Sequence, residues 1–480
     1  MLALAAGVAL ALGVWISVTA SHPQSSSAQT ASQPNIIYVV TDDMRYDDLN
    51  ARYMPNTISL LADQGMTFKN AFVSTSLCCP SRATTMRGQY AHNTGVWYVA
   101  NSYNPDPSVP DGGWQGYKGN GYEDDNIATH LAAAGYRTGL FGKYLNLYRG
   151  TTKPPGWDDW FAFYRPAQYY DYYVNDNATI KHFGTTASAY STDVLSRETQ
   201  QFVGASVAQG KPFFAYVAPK APHDPYPGTV PRHEHDFDGI QGPRLPSFDE
   251  ADVSDKPPWI QSLPRLTSTK MATINKRHED RVESLRSVDD MVGAMVAKLK
   301  SYPGVLENTY IVFTSDNGWH LGEHRIPEEK NRPYEEDHHI PLVIVGPGIA
   351  AGSTTDELAL NTDYFSTFTD LAGAQTPSYV DGRSLRPVLE GSATPWRTAI
   401  LLEGRLGRDY DGIRTSTTKY VEYEGGFREL YDLSTDPYEL DNTYDSATLP
   451  PTLAQGLQAL KTCAAGAEAP AVTCQAAEGE

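Results

Sequence analysis

Two apolar runs far apart in the chain stop in the same way, on acids. Ile36-Ile37-Tyr38-Val39-Val40 ends in Thr41-Asp42-Asp43, and Tyr310-Ile311-Val312-Phe313-Thr314 ends in Ser315-Asp316-Asn317-Gly318. Runs of this length without polar alternation read as strands buried on both faces. The same grammar returns at residues 213–217, which lead to Pro222-His223-Asp224, and at residues 138–141, which lead to Gly142-Lys143. Apolar strands that carry polar groups at their carboxyl ends, with helical stretches between them, predict an α/β fold on an open, mostly parallel sheet flanked by helices. In such sheets ligands bind beyond those strand ends.

Between the strands, Val282, Leu285, Val288, Met291, Val292, Met295, Val296 and Leu299 recur at helical spacing and predict a covering helix with its methionines in the core. The Pro-rich stretch 219–264 reads as inserted loops lying near the site. After about Gly391 the texture changes to short alternating pieces, residues 399–403, 419–423 and 429–433, which predict a small antiparallel sheet, followed by a closing helix over 452–463. Residues 32–390 are therefore expected to form the main domain and 391–480 a smaller C-terminal α+β subdomain.

Hydrophobic residues at 40% and charged ones at 20% allow a large core in a 480-residue chain. With 38 basic and 57 acidic side chains the formal charge is -19, and no long Lys/Arg run opposes it, which speaks against a nucleic acid partner. Residues 2–20 are almost purely apolar and 22–34 are rich in Ser, Gln and Ala, so residues 1–31 read as an export signal and linker, with small-residue cleavage patterns at Val18 and Ala20 or later at Ala28 and Ala31. An uncleaved anchor is the alternative reading. No other segment is apolar enough to span a bilayer, so no stable membrane insertion is expected once the signal is removed. Of four cysteines, Cys463 and Cys474 flank a Gly/Ala/Pro loop and form a plausible disulfide in an exported protein. Cys78 and Cys79 are adjacent and would make a strained bridge, and neither has an evident partner elsewhere.

Asp42, Asp43, Asp316 and Asn317 would converge if their two strands were neighbours. All four are hard oxygen ligands, favouring Ca²⁺ or Mg²⁺ over a transition metal. Taken singly, Asp-Asp and Asp-Asn-Gly are also ordinary turn chemistry after strands. The stretch Leu77-Cys78-Cys79-Pro80-Ser81-Arg82 adds a second constraint. Pro80 suits the first turn of a helix, which puts Cys78 at a helix N-terminus where backbone N–H groups favour anions, with Arg82 one turn on. On spacing alone, a buried thiol beside a helix start is an equal reading.

Cys78-Cys79-Pro80-Ser81-Arg82 matches the C-x-P-S-R motif of the type I sulfatases, and the chain resembles that family from Pro34-Asn35-Ile36 to Asp436-Pro437. The resemblance implies an alkaline-phosphatase-like fold. It implies that Cys78 is oxidised after translation, by a formylglycine-generating enzyme, to a formylglycine whose hydrate attacks sulfur. It makes Asp42, Asp43, Asp316 and Asn317 the Ca²⁺ ligands, completed by modified Cys78, and it carries over Arg82, Lys143, His223 and Lys330 as catalytic positions. Each has a bland alternative: the lysines as solvated surface groups, His223 as a loop histidine. The chemistry asks for such a set, because a sulfate ester is anionic and must be neutralised before an oxygen nucleophile approaches, and its alcohol must be protonated as it leaves.

Where many members read Gly-Lys-Trp-His, this chain reads Gly142-Lys143-Tyr144-Leu145-Asn146, so a familiar base is absent at Leu145. That departure, with Lys181-His182, Ser287-Val288-Asp289-Asp290 and Gly318-Trp319-His320, resembles the glucosamine-6-sulfatase branch that includes the extracellular heparan sulfatases. It implies a sulfated carbohydrate substrate. His182, His320 and His324 are candidates for contacting the sugar or replacing the missing base, and Asn93 and the run Tyr164, Tyr169, Tyr170, Tyr172 and Tyr173 for contacting the sugar, each with a structural role as the alternative. Rival readings are an arylsulfatase, a phosphonate or phosphate ester hydrolase, and a non-catalytic protein that binds sulfated glycans.

Overall fold

In the first strand every second side chain faces one way, and both faces are buried. Ile36, Tyr38 and Val40 enter one core, and Ile37 and Val39 enter another. The computed structural model describes residues 1, 33–100, 112–224, 231–392, 395–464 and 472–479. The signal expected over residues 1–31 lies outside the described residues apart from Met1. Among the described residues no helix is long and apolar enough to cross a membrane.

The strands in chain order are β1 Asn35–Thr41, β2 Met66–Phe72, β3 Arg137–Gly142, β4 Asp159–Tyr164, β5 Tyr172–Asp176, β6 Thr179–Phe183, β7 Phe213–Ala218, β8 Thr309–Ser315, β9 Leu342–Val345, β10 Ser353–Leu360, β11 Ala399–Gly404, β12 Tyr410–Thr415, β13 Thr418–Tyr423 and β14 Arg428–Asp432. Ten of them form one sheet in the order β10-β2-β9-β8-β1-β7-β3-β4-β5-β6. Only β9 and β5 oppose the common direction. The four strands read from sequence, β8, β1, β7 and β3, are adjacent, parallel and central. Their register aligns the carboxyl ends: Thr41 lies beside Ser315, and Gly142 beside Ala218. Asp42, Asp316, Lys143 and the loop to His223 therefore leave the sheet along one edge.

Helices cover both faces, as the buried double-sided strands require. The helix Ser268–Lys300 packs Leu285, Val288, Met291, Val292, Met295 and Val296 onto the face of Ile37 and Val39, together with Val194, Leu195 and Phe202 of the helix Ser191–Ala208. The methionines are core, as expected. The opposite face is covered by Ala83 and Met86 of the helix Cys78–Arg87 and by Tyr364, Phe365 and Phe368 of the helix Asp363–Leu371.

The remaining strands form the antiparallel meander β11-β12-β13-β14. Three were legible from alternation; β12 was not, because Asp411, Gly412 and Arg414 break the pattern, and its pairing with β11 and β13 is what makes it a strand. The helix Pro451–Thr462 packs Leu457 and Leu460 against this sheet, and Phe72, Leu358 and Leu360 of the large sheet share the same core. Residues Gln33–Glu480 accordingly form one compact unit. The small sheet and its β11–β12 loop also brace the chain on both sides of Lys330: Arg408 bonds Glu329 before it, while Arg414 and Lys419 bond Glu335 and Tyr410 bonds His338 after it.

Candidate active site

The helix Cys78–Arg87 begins on Cys78, with Leu77 still extended and Gly88 ending it in a left-handed turn. Every residue of it is buried. The Cys78 thiol thus stands at a helix start against the ends of β1 and β8. Its Sγ lies 3.6 Å from Asp42 Oδ1 and 3.8 Å from Asp43 Oδ1, and Lys330 Nζ donates to it at 2.8 Å. Lys330 also bonds Asp43. Lys143 Nζ bonds both oxygens of Asp42, at 2.7 and 2.6 Å. Arg82 places Nε on Asp316 Oδ2 at 2.8 Å and Nη1 on the Lys143 carbonyl at 2.9 Å. Asn317 Nδ2 donates to Asp43 Oδ1 at 2.7 Å, and the Asp43 amide donates to Asp316 Oδ1 at 3.0 Å. His223 closes the group with Nε2 at 3.6 Å from Asp43 Oδ2. All nine of these side chains, expected from sequence as metal ligands or catalytic groups, are brought together.

Local backbone chemistry explains the placement. Gly142 has φ +113°, and a Cβ there would sit 2.0 Å from the Ala218 carbonyl oxygen, so only glycine lets β3 end this close to β7. Lys143 N then donates to that same carbonyl at 2.8 Å and turns its side chain over the β1 end.

Three carboxylates buried this closely repel one another strongly unless cations intervene. Burial opposes ionisation of Asp42, but Lys143, with His223, Arg82 and Lys330, outweighs it and holds the acid well below the usual carboxylate range. Asp43 is likewise lowered, burial being overcome by Lys330 and His223. For Asp316 burial prevails over Arg82 and its pKa is raised. His223 is pushed up to about 10: burial opposes its charge, while Asp42 and Asp43 favour it. The neighbouring Cys79 thiol is driven up to about 12 by burial, which leaves it inert at neutral pH.

The donor set suits a hard divalent cation. Asn317 Oδ1 is buried without a hydrogen-bond partner, an acceptor left open beside three carboxylates. Asp42, Asp43, Cys78 and His223 each offer an atom within 4.8 Å of the others. The Lys143 and Lys330 ammonium groups also lie on these acids and offset part of their charge.

Comparison with known proteins agrees with this geometry. A family model described as Sulfatase matches residues 34–374, and one described as N-sulphoglucosamine sulphohydrolase, C-terminal, matches residues 322–463. The chain belongs to the sulfatase family. An extracellular sulfatase homolog of Drosophila melanogaster is 38% identical over 386 residues, 77% of this chain, which spans only 33% of that relative's length. The N-acetylglucosamine-6-sulfatase of Capra hircus is 31% identical over 468 residues, 87% of this chain and 81% of its own. A solved structure of a protein in complex with its substrate D-glucosamine-2-N,6-O-disulfate superposes with TM-score 0.73 at 25% identity, over 89% of this chain and 97% of that one. The phosphonate monoester hydrolase of Agrobacterium radiobacter superposes at TM-score 0.69 and 22% identity, which shows the shared fold alone.

In this sulfatase the candidate sugar contacts His182, His320, His324 and Asn93 bond partners outside the Cys78 cluster, whereas Tyr169 places its hydroxyl on the His223 carbonyl at 2.9 Å. His182 is on the exposed edge strand β6, bonded to Asp171 at 2.7 Å and set against Tyr173. His320 and His324 are fully buried beside the Lys330 segment, on Asp337 and Glu250 at 2.7 Å each, and burial lowers them to about 4 and about 3. They hold neutral structural bonds instead of lining the site. Asn93 bonds Asp381 and the Cys463 carbonyl, where the Cys463–Cys474 disulfide ties down the C-terminal tail. Of the tyrosines, Tyr169 and Tyr172 are core and Tyr173 is exposed.

One site residue escaped sequence reasoning. Lys220 lines the cavity beside Asp42 and Lys143, with Nζ 3.4 Å from His223 Nδ1. Its signal was available: it follows a buried strand within Ala218-Pro219-Lys220-Ala221-Pro222-His223, the same strand-end grammar that marked Lys143.

Proposed function

We propose that this sulfatase hydrolyses sulfate monoesters on glycans bearing 6-O-sulfated glucosamine or N-acetylglucosamine. In this reading Cys78 is converted to formylglycine by a formylglycine-generating enzyme, and one Ca²⁺ is held by Asp42, Asp43, Asp316, Asn317 and modified Cys78. The observation that carries it is the convergence of Cys78, at a buried helix start, with two carboxylates and Lys330 within 4 Å. The substrate class is supported by the named N-acetylglucosamine-6-sulfatase relatives and by the glucosamine disulfate bound to the structural neighbour. Extracellular relatives support export, with residues 1–31 as signal and linker, 32–390 as catalytic domain and 391–480 as C-terminal subdomain.

The thiol Sγ marks where a hydroxyl of the hydrated aldehyde would stand. That hydrate supplies two geminal hydroxyls, one to attack sulfur and one whose deprotonation releases sulfate. A bound Ca²⁺ would supply charge to polarise the sulfate oxygens. A cation held by Asp42 and Asp43 would leave the Lys143 and Lys330 ammonium groups to face the ester's anionic oxygens. Arg82 is anchored at two points and keeps the Asp316 carboxylate aimed at the same locus. His223, with Nε2 3.6 Å from Asp43 Oδ2, is placed to protonate the departing sugar oxygen, with Lys330 beside it.

The test has two parts. Mass spectrometry of the Cys78 peptide from native-host protein should show the aldehyde. That material should then turn over N-acetylglucosamine 6-sulfate with higher kcat/KM than the matching 6-phosphate or an aryl sulfate. A phosphate preference, or glycan binding without turnover in fully converted protein, would replace this reading with one of its rivals.

A further inference from the structure

Next to the Cys78 cluster lies a cavity of about 190 Å³. Asp42, Lys143 and His223 form its inner wall, Lys220 lies beside them, and Arg165 and Leu147 belong to its lip. The lip is built on unusual backbone. Arg165 has φ +75° and Leu147 φ +62°, the left-handed region that non-glycine residues occupy at a cost and that clusters at ligand sites. At Arg165 this conformation is held by its amide, which donates to the Tyr148 carbonyl at 2.8 Å, and it leaves the guanidinium exposed at the lip.

The cavity's charges do not cancel. Its two acids are engaged, Asp42 by Lys143 at 2.6 Å and Asp224 by His223 at 3.1 Å. Lys220 is buried, and among the described residues its ammonium meets the Asp224 carbonyl, His223 Nδ1 and the face of Tyr169, with no carboxylate in hydrogen-bond reach. Arg165 is exposed, lies over Tyr164, and pairs with no carboxylate among the described residues. Two cations in one cavity with no carboxylate in contact among the described residues stand out on a chain whose formal charge is -19. Neither is needed for the ester under attack, around which Arg82, Lys143 and Lys330 already gather.

We propose that this cavity is a subsite for a second anionic group of the substrate, a sulfate or carboxylate on or next to the sugar whose ester is cleaved, with Arg165 and Lys220 as its ligands. The proposal rests on the sulfatase reading above and narrows its substrate to doubly charged glycans. Arg165 offers a planar fork at the rim, and Lys220 a point charge deeper in. A neutral N-acetyl sugar leaves both unpaired.

The experiment separates this from the reaction itself. Calorimetry on the full-length C78A protein in Ca²⁺ compares three ligands: N-acetylglucosamine 6-sulfate, glucosamine 2-N,6-O-disulfate, and a uronate-containing disaccharide with 6-sulfated N-acetylglucosamine. The second anion should tighten binding about 5- to 10-fold at low salt. R165Q and K220Q should each move that ratio toward one, and R165K should keep part of it. The same ratios in kcat/KM of converted wild-type and R165Q protein give an independent reading. Preference for the disulfate alone puts the anion on the cleaved ring, and preference for the uronate alone puts it on the neighbour; either upholds the subsite. Equal or weaker binding of both dianionic ligands, or a preference that survives the R165Q/K220Q double variant, overturns it. Absence of turnover in wild type would refute the sulfatase reading and leave the binding comparison standing.

Discussion

Replacing Lys143 with methionine tests the charge balance of the site directly. The ammonium bonds both oxygens of an acid that is 1% exposed, so K143M keeps the volume and leaves Asp42 buried and unpaired. Breaking a buried pair by removing one partner costs about 3–5 kcal/mol. Unfolding entropy scales at about 2.1 cal/mol/K per residue, so for a chain of this length about 1 kcal/mol corresponds to about 1 °C in Tm. In EDTA, K143M should therefore melt about 3–5 °C below wild type. Calcium should then reverse much of the loss, because a divalent cation replaces the missing charge, and saturation at ~100 Kd contributes about 2.7 kcal/mol. The calcium-induced rise should be larger in K143M than in wild type, where the ion must first displace an ammonium. Differential scanning calorimetry of both proteins, with EDTA and with millimolar CaCl₂, reads all four values. Equal melting of the two proteins in EDTA, or no calcium shift in either, would refute the argument that Lys143 occupies a cation's place.

R82K retains charge but cannot span Asp316 and the Lys143 carbonyl together, so kcat/KM should fall about 10²- to 10³-fold while the protein remains folded by circular dichroism; activity within threefold of wild type would contradict this. His92 links the start of a short helix to Glu403 of β11 at 2.9 Å; burial opposes its charge, but Glu403 prevails and pushes it up to about 9. A raised histidine stabilises fully below its unfolded pKa of about 6.5, and that contribution, at most about 3 kcal/mol, is lost as pH rises through about 9. Urea midpoints should accordingly fall between pH 6.5 and 9.5 in wild type and much less in H92Q, and parallel profiles would exclude His92 as the cause. The C463A/C474A pair opens a loop with a sequence separation of 11 and should lower Tm by about 2–3 °C with kcat unchanged, measured on the purified double variant against wild type.

The sequence by itself determined the strands that matter and the residues at their ends. β1, β8, β7 and β3 are long apolar runs whose burial on both faces dictates a helix-covered parallel sheet, and Asp42, Asp316, Lys143 and His223 are placed by chain continuity. Pro80 and Arg82 likewise mark the Cys78 helix, because local sterics decide where a proline sits in a helix. Tertiary structure decided what strand order and packing alone can decide. Nothing local tells β1 that its neighbours are β8 and β7, yet that order brings Asp42 against Asp316. Lys330 lies far from any strand end in the sequence, and it reaches Cys78 because the C-terminal subdomain clamps the chain on both sides of it, through Arg408 on Glu329 and through Arg414 and Lys419 on Glu335. His320, His324 and Asn93 carry the same polar atoms as site residues, and only the folded chain shows that His320 and His324 turn Nδ1 onto Asp337 and Glu250 and that Asn93 bonds Asp381. Lys220 is the converse: its charge is visible in the sequence, but that no carboxylate bonds it among the described residues is a fact of the folded cavity.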